Sequence, residues 1–213
     1  MGRTGGSTRR LGRPPSTDSE ETRVRILDVA RREFAVLGYE NTTNRNIATE
    51  AGITTAALYH YFPSKADLYV AVLLRTEISV EARFRTACTG CSSLVERLGA
   101  VLDESHRMNS EDPSLAQFLA AFRIDERRHD EIGRALPGAS RTIDVFFRDM
   151  VDQAVSEGEV PPSARGPVLS LIAILLVGLS DAMSDDLRAH RRGVDAAKAL
   201  MSGGISFVPH VAR

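Results

Sequence analysis

The residues between Gly38 and Pro63 permit only short helices. Glycine ends helices because it adopts the left-handed conformation easily, and proline cannot continue a helix. Gly38, Gly52 and Pro63 therefore divide this stretch into two short helical segments, residues 43–51 and 54–62. Two short helices joined by a tight turn are typical of the helix-turn-helix, which places its second helix in the major groove of DNA.

The second short helix carries side chains suited to that role. It begins with four small residues, which let its backbone approach a groove ~12 Å wide: Thr54, Thr55, Ala56 and Ala57. Leu58 and Phe62 are four residues apart and would anchor the helix to the core. This turns Tyr59 and His60 outward, and their tips, with that of Tyr61, can donate to phosphate oxygens. An aromatic core cluster is the alternative for this run, and the flanking order of residues favours contact with DNA.

The helix that follows Pro63 begins with a second polar group. Ser64 is expected to cap it, with Asp67 three residues later in an acidic variant of the capping box. Lys65 lies in the first turn, beside free backbone N–H groups that themselves attract phosphate. We therefore expect Lys65 to bind a phosphate group of DNA.

The charge of the chain is distributed unevenly. The formal net charge is −1, yet residues 1–65 hold ten Arg or Lys and seven Asp or Glu, a net charge of +3. The remaining residues hold seventeen basic and twenty-one acidic side chains, a net charge of −4. The N-terminal third is therefore the part that favours a polyanion.

The rest of the chain has apolar residues at helical spacing. It has no sustained alternation of apolar and polar residues, which a strand would show, so we predict an all-α fold. Residues 1–19 are rich in Gly, Pro, Ser, Thr and Arg, and we expect them to form a disordered basic tail. Residues 20–80 are predicted to be the DNA-binding domain, with the helix-turn-helix at about 43–62. Residues 81–213 are predicted to form a larger helical domain.

The tail contains a sequence that could enter a minor groove. Arg13-Pro14 follows Gly12, an order similar to the Gly-Arg-Pro core that enters narrow AT-rich grooves; the candidate arm residues are Arg9, Arg10 and Arg13. A disordered arm that only increases solubility is the equal alternative. Since Leu11 is the only large apolar residue that follows Met1 among the first twenty, we expect no export signal and a cytoplasmic protein.

The last two helical segments have more apolar surface than one helix face can bury. The run VLSLIAILLVGLS, residues 168–180, is apolar on all sides but shorter than the ~20 residues of a membrane span, so we interpret it as a buried helix and expect no membrane. A subunit interface would explain the surplus, and a deep monomeric core is the alternative. The candidate interface residues are Leu171, Ile172, Leu175, Leu179, Val194, Ala197 and Leu200.

Other polar groups have ordinary explanations. Residues 122–134 hold a dense group of charges that includes His129, which we interpret as a solvated helix end rather than a ligand-binding lid. His106 is interpreted as a surface residue. Cys88 and Cys91 form a CxxC pair without further zinc ligands or the strand-loop-helix context of a redox site, so we expect two unpaired thiols.

No motif for catalysis is found. The sequence has no glycine-rich phosphate loop, no GxSxG elbow and no HExxH motif. It also has no nucleophile and base at an informative spacing. We therefore predict that the protein is not an enzyme and needs no cofactor or metal.

The order of these features resembles one known family. The stretch GYENTTNRNIATEAGITTAALYHYFPSKADLY, residues 38–69, is similar to the DNA-binding domain of the tetracycline-repressor (TetR) family of transcriptional regulators. The resemblance covers about residues 20–80 and implies DNA contacts by Thr43, Asn44, Arg45, Thr54, Thr55, Ala56, Tyr59, His60, Tyr61 and Lys65. Family members often carry a longer polar residue just after the glycine turn, where this chain has small residues. Arg45 is therefore the best candidate for a bidentate base contact.

The resemblance also implies how such a protein works. It implies a homodimeric repressor that binds a palindromic operator and releases it when a small apolar ligand binds to the larger domain. Helices between about residues 90 and 160 would enclose the cavity, with these candidate lining residues: Phe118, Phe122, Phe146, Phe147 and Met150. An activator, or a repressor without a ligand, would share every DNA-binding feature, and a helical module that binds no DNA is the more distant alternative.

Overall fold

The computed structural model describes residues 15–136, 141–183 and 186–205, and within these ranges it contains helices and no strand. This confirms the all-α fold. The helices are α1 (Pro15–Asn41), α2 (Asn44–Glu50), α3 (Thr55–Tyr61), α4 (Lys65–Ala87), α5 (Leu94–Glu111), α6 (Pro113–Arg128), α7 (Asp130–Ala135), α8 (Thr142–Ser156), α9 (Arg165–Met183) and α10 (Leu187–Met201). A short 3-10 helix, Pro162–Ala164, precedes α9.

The first helix begins earlier than the sequence predicts. It starts at Pro15, inside the predicted disordered tail, because proline is tolerated in the first turn, where its missing N–H costs no hydrogen bond. Regular helix geometry is interrupted at Gly38, whose φ of 73° lies in the left-handed region. The candidate arm residues Arg9, Arg10 and Arg13 lie outside the described residues, so minor-groove contact stays a prediction.

Local signals define the helix-turn-helix. The Thr43 hydroxyl oxygen accepts a hydrogen bond from the backbone N–H of Asn46 at 3.2 Å and caps α2. The Thr54 hydroxyl oxygen does the same for α3, accepting from the N–H of Ala57 at 3.1 Å. Gly52 has a φ of 68° and makes the turn between the two helices. Each cap satisfies a backbone donor that the helix itself leaves unpaired.

Helices α1 to α4 share their core with α6. The ring of Tyr69 on α4 stacks on Phe122 with centroids 5.4 Å apart, and it meets Phe118 and Phe34 edge-on at 5.3 and 4.5 Å. All four rings are fully buried. Since Phe118 and Phe122 belong to α6, helices α1–α4, which contain the predicted DNA-binding domain, pack directly onto a helix of the predicted larger domain. The predicted boundary at residue 80 lies within α4, which continues to Ala87.

The second half of α4 enters the core of the larger domain. Val80 and Phe84 pack with Phe146 and Phe147 of α8, and the Phe84 centroid lies 6.0 and 6.1 Å from those two rings. Farther along, α10 packs on α5 and α9 through the fully buried Val194. A single continuous helix, α4, therefore contributes to both cores.

Helix α9 is not the buried helix that its composition predicts. Ile172 and Leu179 turn inward with 4% and 6% of their surface exposed, but Leu171 and Ile174 are 50% and 67% exposed. The reason is that α9 contacts α6, α8 and α10, and these three helices leave one of its faces uncovered. By length and composition alone the segment Pro162–Ser180 could span a membrane, and 11% of it is buried within the chain.

Candidate nucleic-acid interface

Helix α3 is held by one face and presents the opposite face to solvent. Leu58 is fully buried, and Phe62, which follows the helix, is 3% exposed. Tyr59 is 48% exposed and His60 is also exposed. Tyr61 is half-buried and meets the His60 ring edge-on, with centroids 6.0 Å apart. Tyr59 and His60 can therefore contact another molecule while Leu58 and Phe62 stay packed in the core.

The start of α3 is small and accessible. Thr54 and Ala56 are exposed, and Thr55 is half-buried. The oxygen of Thr54 accepts the capping hydrogen bond from Ala57, so its own hydroxyl proton can still be donated to a group outside the protein. Because these side chains are short, the backbone at this end can approach a surface closely.

The start of α2 has fewer side chains available for contact with DNA than the sequence predicts. Thr43 and Arg45 are exposed, and in the described part of the chain the Arg45 guanidinium forms no ion pair. Asn44, in contrast, is 9% exposed, and its Oδ1 has no hydrogen-bond partner among the described residues. The predicted DNA contact by Asn44 needs correction, because its side chain packs inside the unit. Arg45 is left as the long polar side chain of this turn.

Lys65 also differs from its prediction. Its ammonium donates hydrogen bonds to the backbone carbonyls of Tyr39 at 2.7 Å, Thr42 at 3.1 Å and Glu40 at 3.3 Å. It also lies 4.3 Å from the centroid of the Tyr39 ring, a cation–π distance. Burial lowers the pKa of Lys65, and nearby carboxylates, Glu131 first, oppose that shift. Because the three ammonium protons are donated to carbonyls inside the protein, Lys65 stabilises the end of α1 and has no donor left for phosphate.

Sequence reasoning missed Asp125 of α6. This residue is 9% exposed, and its Oδ2 accepts hydrogen bonds from the backbone N–H of Tyr39 at 3.0 Å and the Tyr69 hydroxyl at 2.8 Å. Burial and the hydrogen bond to Asp125 raise the pKa of Tyr69. The carboxylate therefore connects the larger domain to the end of α1 and to α4. Its position in a charged run gave no sign of burial, because the covering residues are distant in sequence.

Two histidines are also less exposed than predicted. His129 packs against the Tyr39 ring with centroids 4.9 Å apart. His106 is half-buried, and its Nδ1 lies 3.1 Å from Nδ1 of His190, which is 3% exposed. Burial lowers the pKa of His190, and His106 acts in the same direction. Residues 122–134 are thus in part a packing surface, and His106 is only partly exposed.

A cavity of about 670 Å³ lies between α4, α5, α6, α8, α9 and α10. Apolar side chains form much of its wall, including Val80, Phe84, Leu115, Leu119, Phe147, Leu169 and Leu176. Of the five residues predicted to line it, Phe147 does. The other four are turned into the two cores instead, where helix packing takes up their side chains: Phe118, Phe122, Phe146 and Met150. The volume is within the range of ~300–1,000 Å³ typical of small-molecule sites.

The cavity wall also contains a buried ion pair. Glu77 of α4 is 1% exposed, and Nε and Nη2 of Arg141 both contact its Oε1. Burial raises the pKa of Glu77, and the charge and hydrogen bond of Arg141 oppose that rise. Asp144, Arg148, Arg123 and Asn109 complete the polar part of the wall. The lining is therefore less uniformly apolar than the sequence predicts.

The candidate dimer residues fall into two groups. Leu171 and Leu200 are 50% exposed, and Leu175 is half-buried. The others are covered within one chain, so little of their surface is left for a partner: Ile172, Leu179, Val194 and Ala197. Four of the seven predicted residues therefore lie on the inward faces of α9 and α10. Two further exposed apolar residues of α9 were not among the candidates: Ile174, at 67% exposure, and Val177, at 37%.

Cys88 and Cys91 are free thiols in the structure. Burial raises the pKa of Cys88, and neighbouring Cys91 adds to that rise. Within the described ranges no group of three or more His, Cys, Asp or Glu side chains is arranged to hold a metal ion. A raised pKa disfavours the thiolate that redox chemistry and metal binding need.

Comparison with known proteins finds sequences similar to this chain. Residues 26–72 match the tetR family of bacterial regulatory proteins. The HTH-type transcriptional regulator UidR of Escherichia coli K12 is 25% identical over 189 residues, which are 88% of this chain and 94% of UidR. The similarity therefore extends well beyond the helix-turn-helix.

Solved structures show the same fold. Salmonella enterica GusR has a TM-score of 0.71 at 22% identity, with 92% of this chain and 98% of GusR covered. AibR, solved in complex with isovaleryl coenzyme A and operator DNA, has a TM-score of 0.65 at 18% identity, with 84% of this chain and 97% of AibR covered.

Proposed function

The chain belongs to the tetR family of DNA-binding transcriptional regulators, and on that basis we propose that it is a homodimeric, cytoplasmic repressor that a small molecule releases from a palindromic operator. The observation that carries the proposal is the exposed face of α3, anchored by Leu58 and Phe62. A recognition helix held in this way can enter a major groove without unfolding its core.

The proposed DNA surface consists of α3 and the start of α2. Short residues at the start of α3 allow close approach, and the aromatic tips contact phosphates: Thr54, Thr55 and Ala56, then Tyr59, His60 and Tyr61. Thr43 adds a hydroxyl group at the start of α2. Arg45 reaches a base edge, because a guanidinium can donate two parallel hydrogen bonds to guanine.

The proposed dimer forms through the uncovered face of α9, with Leu171 and Ile174 at its centre and Leu200 of α10 beside them. Burying large apolar side chains that are 50% or more exposed contributes to association at ~25 cal/mol per Å² of apolar surface removed from water. A two-fold dimer carries two copies of α3, so it would read two equal half-sites.

The proposed release depends on α4. This helix lines the cavity with Val80 and Phe84 and also contributes Leu68 and Tyr69 to the core of the DNA-binding unit. A ligand that binds more tightly to one orientation of α4 would shift the population of dimers toward it. The size of the shift is limited by the difference in ligand affinity between the two forms.

The test is a gel-shift experiment with the DNA upstream of the protein's own gene, at several salt concentrations. We expect a specific complex whose affinity falls as salt rises, since neutralised phosphates release counterions. Reporter expression in a deletion strain separates a repressor, whose loss raises expression, from an activator, whose loss lowers it. A complex that forms equally on unrelated DNA would contradict the proposal.

A further inference from the structure

Two histidines face each other across the contact between α5 and α10. Nδ1 of His106 lies 3.1 Å from Nδ1 of His190, and the ring centroids are 5.2 Å apart. His106 is half-buried and His190 is 3% exposed. His190 also lines the cavity, so this histidine pair forms part of the cavity wall.

The hydrogen bond of the histidine pair limits how many protons the two rings can hold. A ring nitrogen donates only when it carries a proton and accepts only when it does not, so the contact needs one Nδ1 of each kind. One added proton keeps the contact, because a charged ring can donate to a neutral one. A second added proton removes the acceptor and leaves two positive rings side by side, which repel each other.

The surroundings of His190 also oppose its charged form. Burial lowers the pKa of His190, and the neighbouring His106 lowers it further. His190 is the fourth residue of α10, and a positive charge is unfavourable in the first turn of a helix. Residues 166–180 of α9, the other helix packed on α10, include no charged residue.

The carboxylates near the histidine pair are matched by arginine and lysine. The ion pairs around α5 and α10 are Asp103 with Arg191 and Lys198, Glu104 with Arg83 and Arg107, and Asp195 with Arg191. From α4, α6 and α8, three arginines and two carboxylates line the same cavity as His190: Arg123, Arg141, Arg148, Glu77 and Asp144. Cationic side chains therefore compensate most of the negative charge that could stabilise a charged His190.

We propose that the histidine pair makes the contact between α5 and α10 sensitive to pH, because the pair holds while one ring is neutral and separates when both are charged. Acid then loosens one wall of the cavity and the helix that carries Leu200 of the proposed dimer surface. Val194 and the ion pairs of Asp103 remain, so the contact is weakened and not abolished. The inference goes beyond the proposed function and does not depend on DNA binding.

An NMR titration of the histidine rings in the full chain tests the inference. The sequence contains five histidines, and resonance assignment of the wild-type protein identifies His106 and His190 without a variant. The two rings should titrate in separate steps, and the step on His190 should lie below the ~6.5 of an unperturbed imidazole. His106→Phe should move the His190 step upward, because a competing charge is removed. Burial alone would leave that step unchanged.

The stability of the protein should depend on pH for the same reason. The pKa of His190 is lower in the folded than in the unfolded chain, so its contribution is complete above pH ~6.5 and is lost as the pH falls below that value. The urea midpoint of the wild-type protein should therefore fall between pH ~7.5 and pH ~5.5, and His190→Phe should show about half of that fall or less. His60→Phe, measured without DNA, is the control, since His60 is exposed on α3 and should keep the wild-type fall.

The wild-type titration decides the inference even if neither variant of the histidine pair folds. A single step shared by both rings, a His190 step that His106→Phe does not move, or an equal fall of the midpoint in wild type and His190→Phe would overturn it. Absence of a specific complex with operator DNA would remove the proposed function and leave the pH dependence standing.

Discussion

Lys65 has the sequence position of a phosphate contact and the surroundings of a structural residue. Its three hydrogen bonds end on carbonyls of Tyr39, Glu40 and Thr42, which the interruption at Gly38 leaves outside regular helix pairing. These carbonyls need donors because a helix end cannot satisfy them itself. The side chain therefore stabilises the segment that leads into α2.

We predict that Lys65→Met lowers the free energy of unfolding by ~1–3 kcal/mol, because it leaves these carbonyls without their donor. Chemical denaturation without DNA measures the change. The chain's other lysine, Lys198, is the matched control. It forms a partly exposed ion pair with Asp103, so Lys198→Met should cost less than ~1 kcal/mol. Unchanged stability of Lys65→Met, together with weaker DNA binding, would restore the phosphate contact.

Arg45 is predicted to read a base. Arg45→Ala should reduce discrimination at one base pair of each half-site by ~1–3 kcal/mol, because a bidentate contact to guanine is lost. Competition gel-shifts with single-base variants of the operator measure this. Arg188→Ala removes an exposed arginine from α10 and controls for net charge. An equal loss of affinity for every sequence would show that Arg45 contacts phosphate instead.

At the scale of elements, α9 shows why composition alone is ambiguous. A helix that is apolar all round can lie in a core, in a membrane or in a subunit interface. In this chain Ile172 and Leu179 are buried while Ile174 is 67% exposed, so one apolar face of α9 is left open to solvent. Among the described helices, none covers this face.

We predict that Ile174→Asp converts a dimer into a monomer, because a carboxylate placed in an apolar interface would lose its hydration without a partner. Light scattering coupled to size-exclusion chromatography measures the mass. Ile78→Asp on α4 is the matched control, since Ile78 is 58% exposed and lies outside α9 and α10. The control should remain dimeric, and a wild-type monomer would contradict the proposed assembly.

At the scale of the whole molecule, Asp125 connects α6 to α1 and α4. It accepts hydrogen bonds from Tyr39 at the end of α1 and from Tyr69 on α4. Its own helix, α6, also lines the cavity through Leu115 and Leu119. Ligand-induced movement of α6 would therefore act directly on the segment that leads into the helix-turn-helix.

We predict that Asp125→Ala weakens this connection and lowers the free energy of unfolding by ~2–5 kcal/mol, because two buried donors lose their acceptor. Hydrogen exchange should show faster exchange of the Tyr39 amide. Tyr69→Phe removes one of the two hydrogen bonds and keeps the ring, so it should cost less and leave the Tyr39 amide protected. Equal protection in wild type and Asp125→Ala would show that packing alone holds the segment.

The sequence by itself determined the helix-turn-helix. Ser64 caps α4 as predicted, Thr43 and Thr54 cap α2 and α3, and Gly38 and Gly52 adopt the left-handed conformation. Such signals act within about one turn of the chain, so the identity of a few neighbouring residues is sufficient to set them. The apolar anchors Leu58 and Phe62 followed from periodicity for the same reason.

Only the tertiary structure decided which polar groups are used inside the protein and which apolar faces are left outside. Lys65, Asn44 and Asp125 stand in sequence like surface residues, yet their surroundings come from other helices. In the same way, Phe118 and Phe122 pack in the core and do not line the cavity. Burial depends on contacts between segments far apart in the chain, and the periodicity of one helix says which residues share a face but not what covers it.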